Sequence, residues 1–220
     1  MLDYTFDSSY AAEYGIVCGT DEAGRGPLCG PVVAAAVVLP EGAIIDGLDD
    51  SKKLTEKKRE RLYDVIISSA VAYGIAESTP AEIDEFNILN ASLLAMRRAV
   101  DIVREKTEPS VVLIDGNRQT DFGCPSFTVV KGDAKSQSIA AASVLAKVTR
   151  DRIMRSLADK YPQYDLAKHK GYPTAEHMLA VYEHGAADIY RKSFLSFLER
   201  DKEKLAAALQ AKKDKSNEHS

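Results

Sequence analysis

Three separate stretches of this 220-residue chain share one design, a short apolar run that ends on a carboxylate. Residues 15–20 lead into Asp21-Glu22, Val111-Val112-Leu113-Ile114 leads into Asp115, and residues 127–130 lead through Lys131-Gly132 into Asp133. Short apolar runs bounded by glycine and acidic residues read as strands. Ends of neighbouring strands lie side by side, so one sheet can gather these acids on a single edge. Gathered carboxylates repel one another, which raises their pKa values unless a cation neutralises them. Hard oxygen donors without histidine or thiolate suit magnesium or manganese. Adjacent strand residues face opposite sides, so Asp21 and Glu22 can share an ion only if the strand distorts there. Gly24 and Gly26 make such a distortion easy. The plainer alternative is that each acid merely begins a turn or caps a helix, and Asp115-Gly116 is an ordinary turn signal.

The remaining pattern places the strands in an α/β domain. Residues 32–39 form a valine-rich run between Pro31 and Pro40, joined to the first strand by Gly24-Arg25-Gly26. Thr55 can cap a helix to about residue 70, and a third strand follows at 71–76. Thr79-Pro80-Ala81-Glu82 combines a capping box with proline at the first helical position. That helix is expected to run to about residue 106 on a stripe of Leu89, Leu93, Met96, Val100 and Val103. Ser136 or Ser138 opens a helix rich in small residues that stops at Tyr161-Pro162. Thr174 caps another, ended by Gly185. Paired strands followed by alternating helices and strands indicate a mixed sheet. Residues 1–200 are expected to be one domain, with 201–220 a charged tail that shows no clear docking motif.

Composition narrows the class of protein. Apolar residues make up 45% and charged residues 28%, which argues against disorder. The apolar run at 32–39 is too short to cross a bilayer, and the N-terminus Met1-Leu2-Asp3-Tyr4 lacks signal-peptide features, so a cytoplasmic location is expected. Three cysteines without C-x-x-C spacing read as reduced packing thiols, and the four histidines form no metal-binding pair. Net charge is −4, yet residues 51–61 hold six basic against two acidic residues and residues 131–170 hold nine against four. Brought together, these segments would make a phosphate-tracking surface; apart, they are two solvated helix faces.

Thr20-Asp21-Glu22-Ala23-Gly24-Arg25-Gly26-Pro27 resembles the opening motif of type 2 ribonuclease H, the ribonuclease HII family. The resemblance continues through Asp50-Ser51-Lys52-Lys53-Leu54, Ile114-Asp115-Gly116 and Lys131-Gly132-Asp133-Ala134-Lys135-Ser136. It extends over the helix from Ile139 to Asp151 and ends at His169-Lys170-Gly171-Tyr172-Pro173-Thr174, in the family's order. It implies a ribonuclease H-like mixed five-stranded sheet flanked by helices, with a helical C-terminal region. It also implies that Asp21, Glu22, Asp115 and Asp133 bind Mg2+ or Mn2+ and form the catalytic set.

The implied reaction is hydrolysis of the RNA strand of RNA–DNA hybrids, and cutting 5′ of ribonucleotides embedded in DNA. Two ions would act in line, one on the attacking water and one on the leaving 3′-oxygen, giving 5′-phosphate and 3′-hydroxyl ends. Gly24, Arg25 and Gly26 would sense the 2′-hydroxyl, and Tyr172 would pack on the ribonucleotide. Ser51, Lys52, Lys53, Lys147 and Lys170 are expected phosphate contacts. Asp151 reads as a partner of Arg150 and Arg152. A monomer acting on nucleic acid, without a membrane, is expected.

Overall fold

The central strand, β1 (Val17–Ala23), carries Asp21 and Glu22 and is paired on both sides in the computed structural model, which describes residues 5–217. β2 (Val32–Val38) lies antiparallel to β1, and β3 (Ala72–Ser78) antiparallel to β2. On the other flank β4 (Val111–Asp115) and β5 (Ser126–Val129) run parallel to β1. The order is β3-β2-β1-β4-β5, the mixed five-stranded sheet expected. Thr20 pairs with Ile114 and Asp115 with Val129, so the acid-bearing ends of β1 and β4 share one edge with the segment that follows β5.

Helices cover both faces of the sheet. α3 (Pro80–Arg104) packs on one side, α2 (Glu56–Ser69) and α4 (Gln137–Lys160) on the other. β2 alternates between them: Ala34 and Ala36 meet the α3 side, Ala35 and Val37 the α4 side. All seven of its residues are buried, which is why it reads as a continuous apolar run. α4 sits so close that a Cβ on Gly19 would overlap the Ile139 amide nitrogen. The small residues Ala140, Ala141 and Ala142 make this approach possible.

Caps fix the helix starts at Thr55, Thr79, Ser136 and Thr174, each accepting a main-chain N–H three residues on. Each such cap contributes about 1 kcal/mol. Ser136, not Ser138, caps α4, and the Ser138 N–H goes instead to Asp7 Oδ2 at 2.8 Å. Asp7 belongs to α1 (Phe6–Tyr14), a helix the sequence reading did not anticipate. Its Phe6, Tyr10 and Tyr14 recur at a helical spacing of four, and Tyr10 and Tyr14 pack on Phe127.

Two other details differ from expectation. β1 runs regularly through Glu22 and Ala23, paired with Ala34 and Val33, so the strand does not distort at its two acids. α3 is not continuous: Asn87 has φ 66° and its Oδ1 accepts from the N–H groups of Leu89 and Asn90. The asparagine restarts the helix as an internal cap.

The C-terminal part adds α5 (Leu166–His169), α6 (Ala175–His184), α7 (Phe197–Arg200) and α8 (Lys202–Asn217). A second cluster there includes Leu28, Met154, Tyr164, Val181, Tyr190, Phe197 and Leu205. Leu28 and Cys29 come from the loop between β1 and β2, so this cluster anchors that loop from behind. Among the described residues no helix is long and apolar enough to cross a membrane. The N-terminal Met1-Leu2-Asp3-Tyr4 and His219 lie outside the described residues.

Candidate active site

Asp21, Asp115 and Asp133 each offer a carboxylate oxygen, and the three oxygens lie within 4.8 Å of one another. Asp21 and Asp115 stand near the ends of parallel strands. Asp133 arrives by a sharp turn, in which left-handed Lys131 (φ 56°) leads into a 3-10 turn at Gly132–Ala134. That turn returns the Gly132 N–H to Asp115 Oδ1 at 2.7 Å, which fixes the middle carboxylate. Glu22, on the opposite face of a regular strand, is not one of the three; it pairs with Arg25 at 3.3 Å and lines the same cleft.

Burial pushes Asp21 well above the usual carboxylate range, and the charges of Glu22, Asp115 and Asp133 add to it. Burial also raises Glu22, with Arg25 opposing and Asp115 adding. Asp133 is raised by burial, then by Asp115 and Asp50, and held back by Lys52. Lys52 Nζ lies 3.5 Å from Asp133 Oδ2 at the end of an exposed side chain. Although burial opposes its charge, Asp133, Asp21 and Asp50 hold Lys52 above the ordinary lysine value. One exposed cation does not balance three clustered acids. Clustered hard oxygens with raised proton affinity are a fitting donor set for a divalent cation.

Beside the carboxylates lies a cleft of about 250 Å³, lined by Gly24, Arg25, Gly26, Ser51, Lys52 and Tyr172 among others. Tyr172 is half exposed, and its ring edge lies 3.4 Å from where a Cβ on Gly26 would stand. Gly24 has φ +103°, and any Cβ there would overlap the Arg150 guanidinium, so only glycine fits. A larger cavity of about 550 Å³ opens at the other end of the sheet near Ile16 and Leu39, away from the carboxylate group. Chemistry rather than volume picks out the smaller cleft.

Two buried arginines hold the loop behind this cleft. Arg150 donates to the carbonyls of Cys29, Pro31 and Lys170, at 3.1–3.2 Å. Arg191 donates to the carbonyls of Gly24, Arg25, Pro27 and Gly30, at 2.7–3.0 Å. Burial and the nearby Arg150 push Arg191 down to about 9, so it stays protonated at neutral pH. Main-chain bonds from Leu28 N–H to the Gly171 carbonyl and from Arg191 N–H to the Leu28 carbonyl complete the frame.

The expected phosphate contacts divide. Ser51, Lys52 and Lys147 line the cleft, but Lys147 Nζ is 2.6 Å from Asp151. Lys170 is not among the lining residues, and its Nζ donates to the Ala167 carbonyl; Lys53 pairs with Asp49. Asp151 pairs with Lys147 and Arg59, not with its neighbours: Arg150 turns to main-chain carbonyls and Arg152 to Glu60. Neighbours in sequence diverge on a helix, whereas i−4 is on the same side. The two basic segments do meet, since α2 and α4 pack together and are cross-linked by Glu60 to Arg152 and Arg155 and by Arg59 to Asp151. Ser143 and Arg150 also line the cleft and were not among the expected contacts; their helical spacing with Lys147 was the available signal.

A model of the Ribonuclease HII family matches residues 18–197. The chain belongs to the ribonuclease HII family. It is 57% identical over 180 residues to a ribonuclease HII of Marinomonas sp., covering 81% of this chain and 89% of that protein. A ribonuclease HII of Azoarcus sp. is 55% identical over 179 residues, covering 81% of this chain and 87% of that protein. Among solved structures, the ribonuclease H2 of Pyrococcus horikoshii superposes with a TM-score of 0.69 at 29% identity, covering 86% of this chain and 98% of that one. The chain is therefore a nuclease of the ribonuclease H type, a hydrolase acting on nucleic acid, and its sheet and helices are those of ribonuclease HII structures.

Proposed function

We propose that this chain cuts the RNA strand of RNA–DNA hybrids and cuts duplex DNA on the 5′ side of an embedded ribonucleotide. The supporting observation is one cleft lined by Asp21 and Asp115 together with the Gly24-Arg25-Gly26 loop and Tyr172, with Asp133 completing the carboxylate group at its edge. Asp21, Asp115 and Asp133, with Glu22 alongside, would hold magnesium or manganese. Two such ions, when bound, supply Lewis acidity at phosphorus and a lowered pKa for an attacking water.

The chain's own residues do the rest. The Gly132 N–H fixes Asp115, so this carboxylate need not reorganise when substrate arrives. Glycine at 24 and 26 lets main chain approach a sugar closely enough to bond its 2′-hydroxyl. Arg25, Ser51 and Lys52 would take phosphates, and Tyr172 would set the ribose against the loop. Water attack on the scissile phosphate expels the 3′-oxygen, leaving a 5′-phosphate and a 3′-hydroxyl.

Paired duplexes differing in one ribose, assayed with magnesium and with excess chelator, test this reading. Cutting only at the ribonucleotide and only with metal is expected. Comparable cutting of the all-DNA duplex would favour a ribose-independent nuclease, and tight binding without cutting in metal would favour a non-catalytic hybrid binder.

A further inference from the structure

Arg191 lies far from the carboxylates in sequence and in role, yet its hydrogen bonds end on the loop that lines the cleft. Its guanidinium takes the carbonyls of Gly24 and Arg25, at 2.7 and 3.0 Å. A trans peptide points its C=O and its N–H in opposite directions. The amides that share those two peptide planes belong to Arg25 and Gly26, so they face away from Arg191. Both residues line the cleft, and among the described residues neither N–H has a hydrogen-bond acceptor. Two adjacent main-chain N–H groups held outward form a receptor for an oxygen.

The frame around Arg191 is rigid. It is fully buried, lies over the ring of Phe194, and has its own N–H bonded to the Leu28 carbonyl. Its two further acceptors, Pro27 and Gly30, close the loop on the same guanidinium. Arg forms this fork of bonds from one planar group, and lysine cannot reproduce it.

Resting on the reading above, we infer that Arg191 is the positioning residue for ribose selection. By drawing the Gly24 and Arg25 carbonyls inward, it turns the Arg25 and Gly26 amides outward as preset donors to a sugar oxygen. It touches no substrate itself.

Binding rather than cleavage tests this most cleanly. In an Asp115→Asn background, to block cutting, affinity is measured for a DNA duplex carrying one ribonucleotide and for the all-DNA duplex. That background is expected to prefer the ribonucleotide by about tenfold or more, the worth of one satisfied hydroxyl. Adding Arg191→Lys should abolish the preference while all-DNA affinity stays within about twofold and the melting transition remains cooperative. A folded Arg191→Lys protein that keeps the full preference overturns the inference. Equal affinities already in the Asp115→Asn background overturn the ribose reading itself, and the role of Arg191 with it.

If Arg191→Lys does not fold, amide NMR of the Asp115→Asn protein decides. The Arg25 and Gly26 N–H resonances should move differently with ribose and deoxyribose duplexes. Identical shifts overturn the inference.

Discussion

Asp21, Asp115 and Asp133 crowd three acids against one exposed lysine, whereas Arg150 and Arg191 bury two positive charges that form no ion pair among the described residues. The arginines are nonetheless satisfied. Their N–H groups make eight bonds to main-chain carbonyls of residues 24–31 and 170, and their interactions end within the fold. The acids are the reverse. Their internal hydrogen bonds leave most carboxylate lone pairs open, and burial followed by mutual repulsion raises Asp21 and Asp133. Buried charge that the fold answers is structural, and buried charge that it leaves unanswered awaits a ligand.

The contrast predicts opposite responses to mutation. The largest effect falls on activity: Asp115→Asn should slow cleavage by about a thousandfold or more, since several kcal/mol of metal-assisted stabilisation is lost. Substrate binding and fold should persist, because the isosteric amide keeps an Oδ1 that can accept the Gly132 N–H. Near-normal turnover in magnesium would remove Asp115 from the set. On the other side of the comparison, Arg150→Ala should cost about 3 kcal/mol or more of stability, because buried carbonyls lose their donors and a cavity opens. Urea unfolding reads this directly, and an unchanged midpoint would show that the arginine frame is dispensable.

A smaller effect sharpens the acid side. Lys52 opposes the rise of Asp133, so Lys52→Met should lift the Asp133 pKa further. A carboxylate that must be ionised to act would then lose its proton later. The acid limb of the pH–rate profile should therefore move to higher pH, and an unmoved limb would mark the Lys52–Asp133 pair as a bystander.

The two regions were not equally legible in the sequence. Acids at strand ends show as apolar runs stopped by Asp115 or by Asp21-Glu22, and the caps Thr55, Thr79 and Thr174 announce themselves by residue type. Parallel neighbours then bring those ends together without further information. The arginine frame left no such trace. Arg191 bonds the Gly24 carbonyl across 167 positions, and a carbonyl acceptor is the same in every residue type. Asn87 was equally silent, because an asparagine on a helical stripe resembles any exposed polar residue until its side chain caps the next turn. Asp151 was read against its sequence neighbours, but helix geometry gave it to Lys147 instead.

The central claim, that the fold tolerates an unneutralised acid cluster in order to receive a cation, is tested most directly by thermal melting of the wild type and Asp21→Asn. Asp21 has a folded pKa raised above its unfolded value, so the native state binds more protons in that window. Its burden is absent near pH 4 and grows as pH rises toward neutral. In chelator at pH 7, Asp21→Asn should therefore melt higher than wild type, and the gap should close as pH falls toward 4. Adding magnesium or manganese should raise the wild-type melting temperature through preferential binding to the native state, and should raise that of Asp21→Asn far less. A wild type that melts higher than Asp21→Asn in chelator, and that gains nothing from either metal, would contradict the account.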